Sequence, residues 1–238
     1  GTRVLWVGTN GGGLARRHRD QWTVFDTDSG LPNNVVVCLL ETGTVRGSRT
    51  LWAGTNGGGL ASLTDGVWSV HDTSTGLPNN LVMGLMVTED PDGRTLWVAT
   101  MGGGIARRDL DAKKPRWRVL TTSTSPAVSS DVVYRFVRDG RGRIYAFTNR
   151  GIDRFTPRVP TRDDPSEFTV STFTTDDGLP TDECNSGASM IDSFGRIWAG
   201  TSEGAAVLDP SREVEDVEPK PILIDRVFVH RRPPSTDA

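Results

Sequence analysis

The chain has 238 residues, 35% of them apolar, with seven tryptophans and a formal charge of -3. That is enough apolar material for a sizeable core. The near-neutral balance gives neither the basic footprint of a nucleic-acid binder nor attraction to a membrane surface, and no stretch is long and apolar enough for a spanning helix. Only three of the 27 basic residues are lysines, and the arginines are spread over turns and strand edges.

In chain order, one phrase comes back five times. It reads LWVGTNGGGLARR from Leu5, LWAGTNGGGLASL from Leu51, LWVATMGGGIARR from Leu96, IYAFTNRGIDRF from Ile144 and IWAGTSEGAAVL from Ile197. Each copy is a strand, a glycine turn and a second strand. A second phrase lies between them: DTDSGLPNN from Asp26, DTSTGLPNN from Asp72 and TDDGLPTDE from Thr175. Before each stands an aromatic strand, and after each an apolar run such as VVVCLL. One unit therefore holds four short strands, A to D, joined by turn chemistry, with no competing helical periodicity.

The aromatic anchors Trp6, Trp52, Trp97, Tyr145 and Trp198 are 46, 45, 48 and 53 residues apart. A period of roughly 40 to 50 residues with one such strand per unit predicts an all-β propeller of four-stranded antiparallel blades. About five blades are expected over residues 1–211, with these five rings in the core. Each tryptophan is followed two positions on by Gly8, Gly54, Ala99 or Gly200, facing the same neighbouring blade. That small residue is expected to admit a ring from the adjacent sheet. In the fourth copy the pair becomes Tyr145 and Phe147, which reads as traded core volume.

The first copy begins at its B strand and the fifth stops after its C strand near Leu208. One A and one D position are thus left for the tail, a second chain or further sequence, and the ring can belong to a larger one. Residues 212–238 read as an acidic, proline-bounded linker, one strand pattern (ILIDRVFVH) and a basic tail leading to a further domain. With no initiator methionine or secretory leader pattern, the chain reads as a piece of something larger.

In an up-and-down blade the D-to-A and B-to-C connections share a face, so GLPNN and TNGGG are expected on one rim. The glycine runs invite a phosphate-loop reading, but a strand follows them, so no helix N-terminus is available to hold an anion. Strand-to-strand turns needing positive φ explain them. The asparagines of these loops cap their own turns. Because loops also carry function, Asn10, Asn33, Asn34, Asn56, Asn79 and Asn80 are the candidate ligand-binding residues of the rim.

Catalytic and metal-binding patterns are thin. His18, His71 and His230 are dispersed, and no HExxH or GxSxG occurs. Asp176, Asp177, Asp182 and Glu183 lack calcium-loop spacing and read as a solvated loop. Cys38 in an A strand and Cys184 in a loop have neither metal-ligand nor disulfide-framework spacing. No catalytic residue, metal ligand or cofactor site is assigned.

The run GLPNN, VVVCLLE, turn, LWAGTNGGGLASL resembles the repeat of two-component regulator propellers. That repeat is GLP, a short apolar strand, a DG-type turn and an LW-[IV]-GT-x-GG-[IL] strand pair. The resemblance covers Leu5 to Leu208 in five tandem copies, with departures at Ser125 to Asp131 (SPAVSSD) and in the fourth B strand. Pro219 to Arg232 is similar to the linker into the immunoglobulin-like domain with three tyrosines that follows such propellers. The resemblance implies a non-enzymatic, periplasmic sensor segment of an inner-membrane bacterial receptor. It further implies a small-molecule or oligosaccharide ligand and homodimerisation through this or a downstream domain.

Two other classes stay open. Streptogramin (virginiamycin B) lyases have similar tryptophan-glycine blades but need a metal and a catalytic histidine, and the histidines here sit at unrelated blade positions. The sialidase S-x-D-x-G-x-x-W box is only approached by Asp192 to Trp198. A non-catalytic spacer or assembly module is the other alternative.

Overall fold

The computed structural model describes residues 4–43, 47, 49–90, 93–161 and 166–213. These form eighteen strands in five antiparallel sheets. The first sheet holds β1 (Val4–Gly8), β2 (Leu14–His18) and β3 (Gln21–Phe25). The second holds β4 (Val36–Gly43), β5 (Arg49–Thr55), β6 (Leu60–Thr64) and β7 (Val67–His71). The third holds β8 (Val82–Asp90), β9 (Gly93–Thr100), β10 (Ile105–Asp109) and β11 (Trp117–Leu120). The fourth holds β12 (Val133–Arg138), β13 (Ile144–Thr148), β14 (Gly151–Pro157) and β15 (Phe168–Phe173). The last holds β16 (Cys184–Ile191), β17 (Ile197–Thr201) and β18 (Gly204–Leu208).

Each sheet is a meander in sequence order, as the turn chemistry requires. The A strands β4, β8, β12 and β16 neighbour one another in turn. The sheets therefore stand like blades around a common axis, first strand inward. The three middle blades are complete, whereas the first lacks an A strand and the fifth lacks a D strand among the described residues. Each A strand carries a register shift near its start: between Val36 and Cys38, Val82 and Gly84, Val133 and Arg135, and Cys184 and Ser189. One extra residue in the first three of these strands, and three in β16, bend the strand and increase its local twist.

Four apolar clusters fill the four spaces between blades. In the second space Trp52 packs with Val82, Leu96 and Ala106 of the next blade. In the third, Trp97 is 1% exposed and meets Val133, Ile144 and Phe155. Truncating an enclosed ring of this size costs about 3–5 kcal/mol. That is a large share of a margin of about 5–15 kcal/mol. Both of these indole nitrogens are also satisfied: Trp52 donates to Thr42 at 3.0 Å and Trp97 to Thr88 at 3.1 Å. Trp198 donates instead to Asp192 at 3.0 Å.

Trp52, Trp97 and Tyr145 are buried, as expected, but Trp6 and Trp198 are only half-buried. Trp6 and Trp198 belong to the incomplete blades at the two ends. The small residue two positions on admits an aliphatic group and not a ring. A Cβ on Gly54 would lie 2.6 Å from Val82 Cγ1 and 2.4 Å from Cys38 Sγ, and one on Gly8 would lie 2.8 Å from Val36 Cγ1. The valine opens the next A strand. At the fourth space Phe147 fills the small-residue position, and the facing residue shrinks to Cys184. Cys184 is thus the first residue of β16, 2% exposed, and not a loop residue. The volume is traded across the space between the blades.

Candidate functional site

The GLPNN and NGGG loops do share a rim, and they bond to each other. The Asn34 carbonyl accepts the Gly11 and Gly13 N–H groups at 3.1 and 2.8 Å. The Asn80 carbonyl accepts those of Gly57 and Gly59 at 3.1 and 2.8 Å. Each D-to-A loop is therefore clasped by the glycine turn of the blade before it. The glycine turn of its own blade closes over it from the other side: a Cβ on Gly103 would lie 2.9 Å from Asn79 Cβ. The middle glycine is needed for close approach, while the third, such as Gly59 at φ 87°, needs the left-handed region as well.

The asparagine side chains hold the same loops. Asn33 Oδ1 accepts the Val35 N–H and Asn79 Oδ1 the Leu81 N–H, both at 2.8 Å. Asn34 Oδ1 accepts the Thr27 N–H at 3.0 Å and Asn80 Oδ1 the Thr73 N–H at 2.9 Å. Those two N–H groups open the short 3-10 turns Thr27–Ser29 and Thr73–Thr75, which Asp26 and Asp72 cap. Serine and threonine donors hold both caps below the ordinary carboxylate range. Asn10 and Asn56 differ: both are exposed, and among the described residues neither side chain has a hydrogen-bond partner.

Where the sequence departs from GLPNN, other residues make the same bonds. Ser130 Oγ accepts the Val132 N–H at 2.9 Å, and Asp131 Oδ1 accepts the Thr122 N–H at 2.8 Å. Ser129 donates to the buried Asp153 through its N–H at 2.8 Å and its hydroxyl at 3.0 Å. Thr172 donates to the same carboxylate at 2.7 Å. Burial pushes the Asp153 pKa up despite these donors. Asp153 stands where the first three copies have alanine, so both departures in this region are coupled. At the next junction Asp182 accepts the Thr175 N–H at 2.7 Å and Asp177 that of Thr174 at 3.0 Å. Part of the acidic cluster thus caps a turn.

The opposite rim carries a feature that the sequence does not announce. A cavity of about 500 Å³ opens between the third and fourth blades. Five arginines and three carboxylates line it. Arg107 is held with its guanidinium 4.4 Å from the Trp97 ring centroid and 4.8 Å from that of Phe168. Its Nη2 donates to Glu167 Oε2 at 2.6 Å, and Arg118 donates to the other oxygen at 2.9 Å. Burial raises the Glu167 pKa, but the two guanidiniums outweigh it and the net shift is downward. Arg138 pairs with Asp90 at 2.8 Å. The tandem Arg107-Arg108 in IARRD was the available signal, yet the same pair occurs in LARRH. Only the fold brings Arg118, Arg138 and Glu167 to it.

His71 lies beside this region, between Trp52 and Trp117, with centroids 5.8 and 5.9 Å away. It contacts Arg108 Nη1 through Nδ1 at 3.2 Å and Ser62 Oγ through Nε2 at 3.4 Å. Burial, then the Arg108 charge, lowers its pKa to about 4. It is packed between blades, and His230 lies outside the described residues. Burial raises the Cys38 thiol to about 12 and the Cys184 thiol to about 11, so neither is a ready thiolate. Among the described residues no group of three or more metal-ligating side chains occurs.

No protein-family model and no curated protein matches the chain. Among solved structures it is similar to the extracellular domain of the B. thetaiotaomicron signalling system BT4673, in two determinations. One matches with 20% identity and a TM-score of 0.62, the other with 21% and 0.61. Each covers 86% of this chain and 25% of that one, so the chain spans about a quarter of the length of these neighbours. Virginiamycin B lyase from Staphylococcus aureus matches at 17% identity and a TM-score of 0.51, covering 86% of this chain and 66% of the enzyme. At these identities the shared property is the fold, a β-propeller built of antiparallel blades.

Proposed function

We propose that this chain is the ligand-sensing propeller region of an extracytoplasmic bacterial signalling receptor. The observation that carries the reading is the run of five tandem repeats, folded as blades that match the BT4673 extracellular domain over 86% of the chain. The ligand is a saccharide or another small nutrient, met on the rim that carries the repeated loops. The Asn33, Asn34, Asn79 and Asn80 carbonyl oxygens are committed to backbone donors, which leaves their amide groups, with Asn10 and Asn56, as the polar contacts for it. Signalling follows if the ligand binds one of two dimer arrangements more tightly than the other.

A thermal-shift screen against neutral oligosaccharides, run beside a mass measurement, tests this. A saturable rise in melting temperature without turnover is the expected result. Turnover of a lactone or glycoside with metal added would instead place the chain with the propeller enzymes. Concentration-dependent dimerisation with no ligand effect would make it an assembly module.

A further inference from the structure

We infer that the free faces of the first and last blades bind each other between copies, so that the chain associates head to tail with a second copy of itself. The inference is independent of the sensing reading and uses neither rim.

Every junction inside the molecule joins the same two kinds of face. The forward face of a blade, turned to the next one, carries the B-strand ring and a large aliphatic residue of the C strand. These are Trp6 and Leu14 in the first blade and Trp52 and Leu60 in the second. The back face of the following blade carries the alternate residues. At the first junction Leu51, Ala53, Ala61, Leu63 and Trp68 pack against Trp6, Leu14 and Phe25. Cross-strand pairing keeps that set on one side: Leu51 lies opposite Leu63, Ala53 opposite Ala61 and Leu63 opposite Trp68. Leu96, Ile144 and Ile197 take the place of Leu51 at the later junctions, and all four are buried.

The first blade has such a back face, and among the described residues nothing covers it. Leu5 lies opposite Arg17, Val7 opposite Ala15, Ala15 opposite Val24 and Arg17 opposite Trp22, so these six share a side. They stand where the second blade has Leu51, Leu63, Ala53, Ala61, Val70 and Trp68. Leu5, Val7, Trp22 and Val24 are 37–58% exposed. Large apolar side chains grouped in this way mark an interaction surface. The arginine is no obstacle. Arg108 holds the same place in the third blade and lies against His71 and Trp117 inside a junction.

The last blade presents the complementary forward face. Trp198 and Gly200 repeat the ring and its small neighbour, opposite Val207 and Ala205. Met190 and Val207 are 54% and 51% exposed. Ala205 is exposed too, in the place of the fully buried Leu14, Leu60 and Ile105. One molecule thus carries both halves of a junction that it already makes four times. Two back faces would set Trp22 against Trp22 with no forward ring to receive. The occupant that fits the first blade is therefore the last blade of another copy. Such a contact joins two different surfaces and leaves one of each free, so association continues past the dimer.

Sedimentation equilibrium of the whole chain, from micromolar to near-millimolar concentration, tests this. Mass should rise with concentration beyond that of two copies. Leu5→Asp puts a charge in the back face of the first blade, and Ala205→Asp puts one in the forward face of the last. Both replace exposed side chains, so each variant should melt cooperatively near the temperature of the natural chain and sediment as a monomer. Mixed in equal amounts, the two should form a dimer and nothing larger, because each keeps the face that the other has lost. Should either variant fail to melt cooperatively, Val24→Asp and Met190→Asp probe the same two faces.

A natural chain that stays monomeric throughout has its faces covered from within or by another protein, and overturns the inference. Association lost in one of the two variants and kept in the other would mean that like faces meet, and overturns it as well. So does a mixture that stays monomeric. Failure of the sensing reading looks different: head-to-tail association that no ligand alters removes the sensing role and keeps the junction.

Discussion

His71 shows how position in a blade decides the chemistry of a single residue. In the first and fourth copies the matching D-strand position holds Phe25 and Phe173, which pack against Trp6 and Tyr145. An imidazole fills the same space only as the neutral form, because burial and the Arg108 charge both oppose protonation. Its pKa falls from 6.5 to about 4, so the unfolded chain binds the proton more readily. Stability contributed by the neutral ring is therefore present above pH 6.5 and lost as pH falls toward 4. Urea denaturation at several pH values should show this slope in the natural chain and a shallower one in His71→Phe. Equal slopes in the two proteins would show that the ring is not buried as described. The sequence placed His71 at the end of a D strand and no more; its two indole neighbours come from different blades, which residue spacing does not reveal.

At the scale of the element, the repeated loops are fasteners between blades. The glycine turn reads as a turn from sequence because positive φ is a local demand. Its second task, meeting the D-to-A loops on either side, is a contact between segments more than twenty residues apart. Gly103 separates the two tasks, since its φ is ordinary and the Asn79 Cβ and Pro78 carbonyl carbon each lie 2.9 Å from where its own Cβ would be. Gly103→Ala should destabilise by about 1–3 kcal/mol through overpacking. Gly140→Ala, with open space at the same construction, should leave the urea midpoint nearly unchanged. Equal midpoints would mean that the loops are not in contact. The departures at the third junction were legible as departures, but not as repairs: that Ser130 and Asp131 rebuild the asparagine bonds, and that Ser129 is anchored on Asp153, needed coordinates.

For the molecule as a whole, periodicity was the strongest signal. Five aromatic anchors at nearly constant spacing require one supersecondary unit repeated, and the observed blades begin and end where turn residues stand. The three-stranded first and last sheets among the described residues match the copies that open at a B strand and stop at a C strand. What spacing could not give was the sorting of arginines. Arg107, Arg118 and Arg138 come from three strands in two blades, and only stacking brings them to one cleft. The assignments beyond residue 213, including the linker and the ILIDRVFVH strand, lie outside the described residues. The proposed sensing role rests on the resemblance of the repeat and not on any catalytic constellation.

Successive blades are locked by loop-to-loop bonds, so the recurring motifs are scaffold first. Amide hydrogen exchange reads this directly. The Gly13, Gly59, Gly104 and Gly151 N–H groups donate across blade junctions at 2.8, 2.8, 2.8 and 2.7 Å. They should exchange as slowly as the amides of the central strands β9 and β13. Exchange at the rate of an unstructured glycine at these four positions, with the strands still protected, would show that the loops do not lock the blades together.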